Sequence, residues 1–102
     1  MLLPLAACET RPEVARLPDG RVEVRGERAL ALRYLTEARD ECAARADIHA
    51  NRRANDDCII AAVTLRNARA MRNPPPGCWS VPNDIRCDRE RVVFTARPEE
   101  MR

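Results

Sequence analysis

Lysine is missing from this chain, and aromatic residues are almost missing. All 18 basic residues are arginine, and Tyr34, Trp79 and Phe94 are the single representatives of their types. The uniform arginine usage reads as the codon bias of a GC-rich genome rather than a guanidinium-specific binding role. Charged residues make up 33% of the chain, yet the net charge is only +2, and the two signs are interleaved. That pattern is a solvated surface and excludes the basic stripe of a nucleic-acid binder. No apolar run approaches the roughly 20 residues a membrane-spanning helix needs. The three glycines, Gly20, Gly26 and Gly77, each stand alone as punctuation, so there is no phosphate-cradling loop. The one histidine, His49, is the only general base of the usual kind, and it sits beside a proposed helix turn among Asn51, Arg52 and Arg53. It reads as an exposed or capping side chain. Asp40-Glu41 and Asp56-Asp57 are adjacent carboxylates whose side chains point about 100° apart on a helix, so neither pair forms a matched acid and base. The chain is expected to be no enzyme and to carry no cofactor.

Cysteine is what the sequence has in excess. A chain of 102 residues with five cysteines lies near the size at which a single core is only marginally sufficient. Cys42, Cys58, Cys78 and Cys87 are separated by 16, 20 and 9 positions with no C-x-x-C pair, and His49 has no partner at ligand spacing. Zinc is therefore not expected, nor any other metal site. A disulfide framework in an oxidising compartment fits better, provided that Cys8 has another use and leaves an even number.

The segment Leu5-Ala6-Ala7-Cys8 supplies that use. An aliphatic residue, two small residues and a cysteine resemble the lipobox of bacterial lipoproteins. The small side chains suit a protease cleft, and the thiol is the group that takes the lipid. The resemblance covers these four residues and implies lipidation of Cys8, with the membrane as partner through that lipid. Residues 1–7 then read as the end of a signal-peptide apolar region whose start lies further upstream. Residues 8–13 read as a tether, residues 14–98 as one small domain, and residues 99–102 as a disordered tail. Glu9, where enteric lipoproteins retained at the inner membrane carry Asp, implies the outer membrane.

The expected fold is α+β. Val14 to Leu17 and Arg21 to Arg25 flank Pro18-Asp19-Gly20 and read as a β-hairpin, with Val22 and Val24 on one face and Arg21, Glu23 and Arg25 on the other. Residues 27–73 contain neither Gly nor Pro. An apolar stripe of Ala31, Leu35, Ala38, Cys42 and Ala46 fails across 51–57 and resumes at Cys58, Ala61/Ala62, Leu65 and Ala68. This reads as an αα-hairpin turning near 49–55, with Asn55 or Asp56 capping the second helix. Antiparallel pairing sets Leu35 against Leu65, Ala38 against Ala62 and Cys42 against Cys58. A Cys42–Cys58 bridge would be worth roughly 3 kcal/mol in loop-closure entropy. One long helix in a dimer is the rival arrangement. Pro74-Pro75-Pro76 ends the helix, a loop closed by Cys78–Cys87 follows, and residues 91–96 form a strand that can join the N-terminal hairpin.

Trp79 lies in that closed loop. It either folds back over the disulfide to supply core, the default for so small a domain, or serves with Arg86 as an anchor for a partner protein or glycan. The combined expectation is a non-enzymatic, lipid-anchored periplasmic protein of a bacterium or its phage, acting through envelope-protein or cell-wall contacts as a monomer or homodimer. Size, lipobox and prolines also resemble the outer-membrane spanin lipoproteins of phage lysis. The alternative is a soluble cytosolic regulator or metal-binding protein with reduced cysteines.

Overall fold

A computed structural model describes residues 12–45 and 51–101. The elements in chain order are β1 (Val14–Arg16), β2 (Val22–Arg25), α1 (Glu27–Ala43), α2 (Arg52–Arg72), β3 (Cys78–Val81), β4 (Asp84–Cys87), β5 (Val93–Ala96) and a 3-10 turn (Pro98–Met101). The α+β class, the N-terminal hairpin, the helix pair and the two cysteine bridges are all present. Cys8 and the LAAC segment lie outside the described residues, as do Ala46 and His49.

β1, β2 and β5 form one antiparallel sheet in that order, with Val14 opposite Val24, Val22 opposite Ala96 and Val24 opposite Phe94. Val22 and Val24 turn inward, as their alternation requires, onto Ala29 and Leu30 of α1, and Cys87 and Val92 complete the buried cluster. Gly26 makes the sharp passage from β2 into α1. Its φ is +73°, its N–H donates to the Val92 carbonyl at 2.8 Å, and a Cβ there would lie 3.0 Å from Arg89 Cγ. Arg25 departs from the expected solvent-facing row. It is buried, ion-paired to Glu23 at 2.6 Å and donates to the Arg89 carbonyl, because the turn after β4 folds over it. The last strand is also shorter than 91–96. Arg91 and Val92 donate their N–H groups to the Asp88 carbonyl and so belong to a turn.

The helices pair antiparallel and are bonded by Cys42–Cys58, with Cα atoms 6.0 Å apart. Ala38, Cys42 and Ala62 are buried and Leu35 and Cys58 half-buried, as the stripe predicts, but its outer members are displaced. Ala31, Leu65 and Ala68 are exposed, and α2 turns Ile59, Ala62, Val63, Arg66 and Ala70 toward the protein instead. The Cys42–Cys58 bond fixes the phase of α2 near its start, and half-buried Ile59 and Val63 lie on the face it selects. Glu37 and Glu41 stand one turn apart on α1, and Arg66 spans them at 3.2 and 2.8 Å. Turning the helix by one position to bring Leu65 inward would strand that guanidinium. These carboxylates, Glu41 first, push the Arg66 pKa above its ordinary value. The N-cap is Asn51 rather than Asn55 or Asp56. Its Oδ1 accepts from the N–H groups of Arg53 and Ala54, so α2 starts a turn earlier than expected.

The tail also differs from expectation up to Met101. Pro98–Met101 closes as a 3-10 turn because Glu100 accepts the Arg97 N–H on its carboxylate and the Arg39 guanidinium on its carbonyl, the latter at 2.6 Å.

Candidate functional site

The segment expected as an irregular loop between Cys78 and Cys87 is a β-hairpin. β3 and β4 pair with Cys78 opposite Cys87, Trp79 opposite Arg86, Ser80 opposite Ile85 and Val81 opposite Asp84. Pro82 followed by Asn83 at φ +63° is the type II turn pattern, with Pro presetting the first central residue and Asn tolerating the left-handed second. Sequence reading saw the cysteine closure but missed the hairpin, because Val81-Pro82 looks like a strand breaker. The proline occupies the turn, where no ladder hydrogen bond is needed.

Alternation on this ribbon sorts its side chains. Cys78, Ser80, Ile85 and Cys87 share the face toward the core, and the disulfide ties its open end. Trp79, Val81, Asp84 and Arg86 share the other face. Trp79 does not fold over the disulfide; it stands on the face opposite and is 50% exposed. Arg86 is its direct cross-strand neighbour, and its guanidinium is held by Asp84, two residues earlier. Asp84 also accepts the Ile85 N–H at 2.8 Å, and that bond first, then Arg86, holds its carboxyl below the usual carboxylate range. Asp84 was not singled out from sequence, although a D-x-R spacing on a strand puts both charges on one face.

The ribbon is fixed at its root. The Cys87 N–H donates to the Glu27 carboxylate in the first turn of α1 at 3.0 Å, and the Asp88 N–H donates to the Gly77 carbonyl at 2.8 Å. Ser80 Oγ donates to the Met71 carbonyl near the end of α2. Gly77, at φ +85°, lets the chain leave Pro74-Pro75-Pro76 against Val92, where a Cβ would come within 2.9 Å of Val92 Cγ2. The result is a rigid mount with an aromatic plate and an ion pair on its outer face. Arg89 and Arg91 follow in the turn after β4 and are not on this face.

Among the described residues, no group of three or more His, Cys, Asp or Glu side chains could hold a metal ion. All four cysteines of the described residues are consumed in disulfides. Two such bonds belong to an oxidising compartment rather than the reducing cytosol. No helix of the described residues is long and apolar enough to cross a membrane. Comparison with known protein families, curated proteins and solved structures finds no match.

Proposed function

We propose that this chain is a non-enzymatic envelope protein of a bacterium or its phage, held to the outer membrane by lipid on Cys8. It presents the Cys78–Cys87 hairpin to an envelope-protein or cell-wall partner. The observation that carries the docking role is the half-exposed Trp79 on a ribbon anchored at both roots. A small chain with so few aromatics that leaves its one tryptophan outside its core gives up burial it could use, and tryptophan is the side chain most enriched at binding hot spots. The lipid anchor rests on LAAC and on the even set of cysteines left when Cys8 is set aside. The reduced-cysteine alternative is disfavoured by two bonds with ordinary partners in the fold. A spanin subunit is expected not to form a compact monomer, so the buried cluster and internal bridges favour the general interaction role over that assignment.

The deciding experiment is a non-reducing intact mass of the membrane-extracted protein, made in a bacterium from its native upstream DNA. The expected mass is residues 8–102 plus lipid, less the four hydrogens of two disulfides. A mass with Met1 retained and free thiols overturns the reading. Affinity capture from envelope extracts, comparing wild type with Trp79→Ala, tests the docking role. The partner should be lost while the urea midpoint stays in place.

A further inference from the structure

The end of α2 meets α1 and the proline segment in a polar cleft. Tyr34 of α1, Arg69, Ala70, Arg72 and Asn73 at the end of α2, and Pro75 line a space of about 340 Å³, which is the size of a small-ligand site. Its walls are fixed. Tyr34 packs against the buried cluster, the Asn73 N–H donates to the Arg69 carbonyl at 2.8 Å, and the Pro75 carbonyl accepts the Cys78 N–H at 3.0 Å.

The charges lining this cleft have one sign. Among the described residues, neither the Arg69 nor the Arg72 guanidinium has an ion pair or hydrogen bond, and no carboxylate lines the space. The two arginines lie three positions apart, so they are neighbours on the helix surface and repel each other unless an anion lies between them. The Glu37 carboxylate acts on Tyr34, but Arg66 already holds it, and Arg33 and Arg66 act on the same phenol with the opposite sign. Burial first, then Glu37, raises the Tyr34 pKa above its ordinary value, so the hydroxyl keeps its proton. Complementing the negative end of the α2 dipole explains arginines in the last turn. It does not explain why both line one cleft with a phenol and an amide.

We infer that this cleft binds a phosphomonoester, with the phosphate between Arg69 and Arg72 and the group that carries it against Tyr34 and Pro75. A carboxylate neutralises only one of the two positive charges, whereas a phosphomonoester carries about −1.5 to −2 at neutral pH, with three acceptor oxygens. Guanidinium forks match phosphate oxygens bidentately. A soluble phosphate ester and a lipid headgroup both present this chemistry. The cleft uses neither lipid on Cys8 nor any residue of the Cys78–Cys87 hairpin, so it stands or falls apart from the function proposed above.

The test uses the full oxidised chain with Cys8→Ser, which removes any covalent lipid. Amide NMR shifts of residues 69–73 are followed during titration with glycerophosphate, with glycerol and acetate as controls. In parallel, co-sedimentation is measured with phosphatidylcholine vesicles carrying phosphatidic acid or, as the phosphodiester control, phosphatidylglycerol. Saturable one-to-one shifts with glycerophosphate, absent with glycerol and at least about tenfold weaker with acetate, are expected for a soluble ligand. Binding confined to the phosphatidic acid vesicles assigns the phosphate to a lipid headgroup. Arg69→Gln and Arg72→Gln are exposed changes and should each weaken binding at least about fivefold with unchanged helix content. Arg52→Gln, at the opposite end of α2, should leave it intact. No saturable binding in either arm, acetate or phosphatidylglycerol binding as tight as the monoester, survival of binding in both cleft variants, or an equal loss in Arg52→Gln overturns the inference.

Discussion

Replacing Cys42 and Cys58 together by alanine should remove more stability than any single surface change in this chain, and its size can be worked from the two bridges. They span 16 and 9 residues. Loop-closure entropy for those separations comes to about 3.1 and 2.6 kcal/mol at 25 °C. The loops do not overlap, so losing both should cost about 6 kcal/mol. Packing losses at the buried Cys42 and Cys87 can only add to these figures. A chain this long has about 5–15 kcal/mol of stability in total. Each double-alanine variant should therefore still fold, and the quadruple variant should sit near its threshold or beyond it.

Urea unfolding followed by far-ultraviolet circular dichroism measures this directly. With m values of about 1–3 kcal/mol/M, each pair should lower the midpoint by about 1–3 M. A loss below about 1.5 kcal/mol for either pair would refute the reasoning, since it would mean that the unfolded chain is already constrained where the bridges close it.

Substitutions at four further positions probe single contacts. Gly77→Ala meets both a positive φ and Val92 Cγ2 at 2.9 Å, and should cost about 1–3 kcal/mol in the same unfolding assay. Asn51→Ala removes the acceptor for two N–H groups at the start of α2 and should cost about 1 kcal/mol, with Asn51→Ser recovering most of it. Ala62→Leu overfills the helix interface and should cost about 1–3 kcal/mol. Leu65→Ala, on the exposed face, should stay within about 0.5 kcal/mol, which separates the observed helix face from the one its apolar stripe suggests.

The parts of this fold that were legible in the sequence are those governed by local chemistry. Pro18-Asp19-Gly20 dictates a turn, Val22 and Val24 dictate the inward face of β2, and three prolines must end α2. The Cys42–Cys58 pairing followed from folding a helix pair back on itself. What was not legible depended on choices between distant partners. The observed face of α2 carries half-buried Ile59 and Val63 and places Arg66 on Glu37 and Glu41, and a stripe made largely of alanines does not distinguish it from the neighbouring face with Leu65. Arg25 reads as surface because its cover, the turn at 88–91, lies more than sixty residues away in the chain. At the candidate site, Trp79 and Arg86 were singled out, but their shared outer face became evident only once Pro82-Asn83 was seen to be the turn of a hairpin.

The position of the two bridges explains why so thin a core suffices. The buried cluster is centred on β2, the start of α1, Cys87 and Val92, and α2 contributes no member to it. α2 instead seals onto the protein through Ala62 and Ala70, which bury little area, and through the Arg66 ion pairs, which are partly exposed and worth little each. Its C-terminal end gains the Ser80 hydrogen bond to Met71, but toward its N-terminus the covalent tie to α1 is Cys42–Cys58. Apolar burial thus holds the sheet and α1 together, while the first bridge holds the helix that burial cannot. The second bridge does the same for a two-stranded ribbon that would be marginal alone. A chain built this way depends on an oxidising environment for the geometry of its helix pair and for the rigidity of the Trp79 mount. In a reducing environment α2 would loosen first at its N-terminal end, which Cys42–Cys58 would no longer tie to α1.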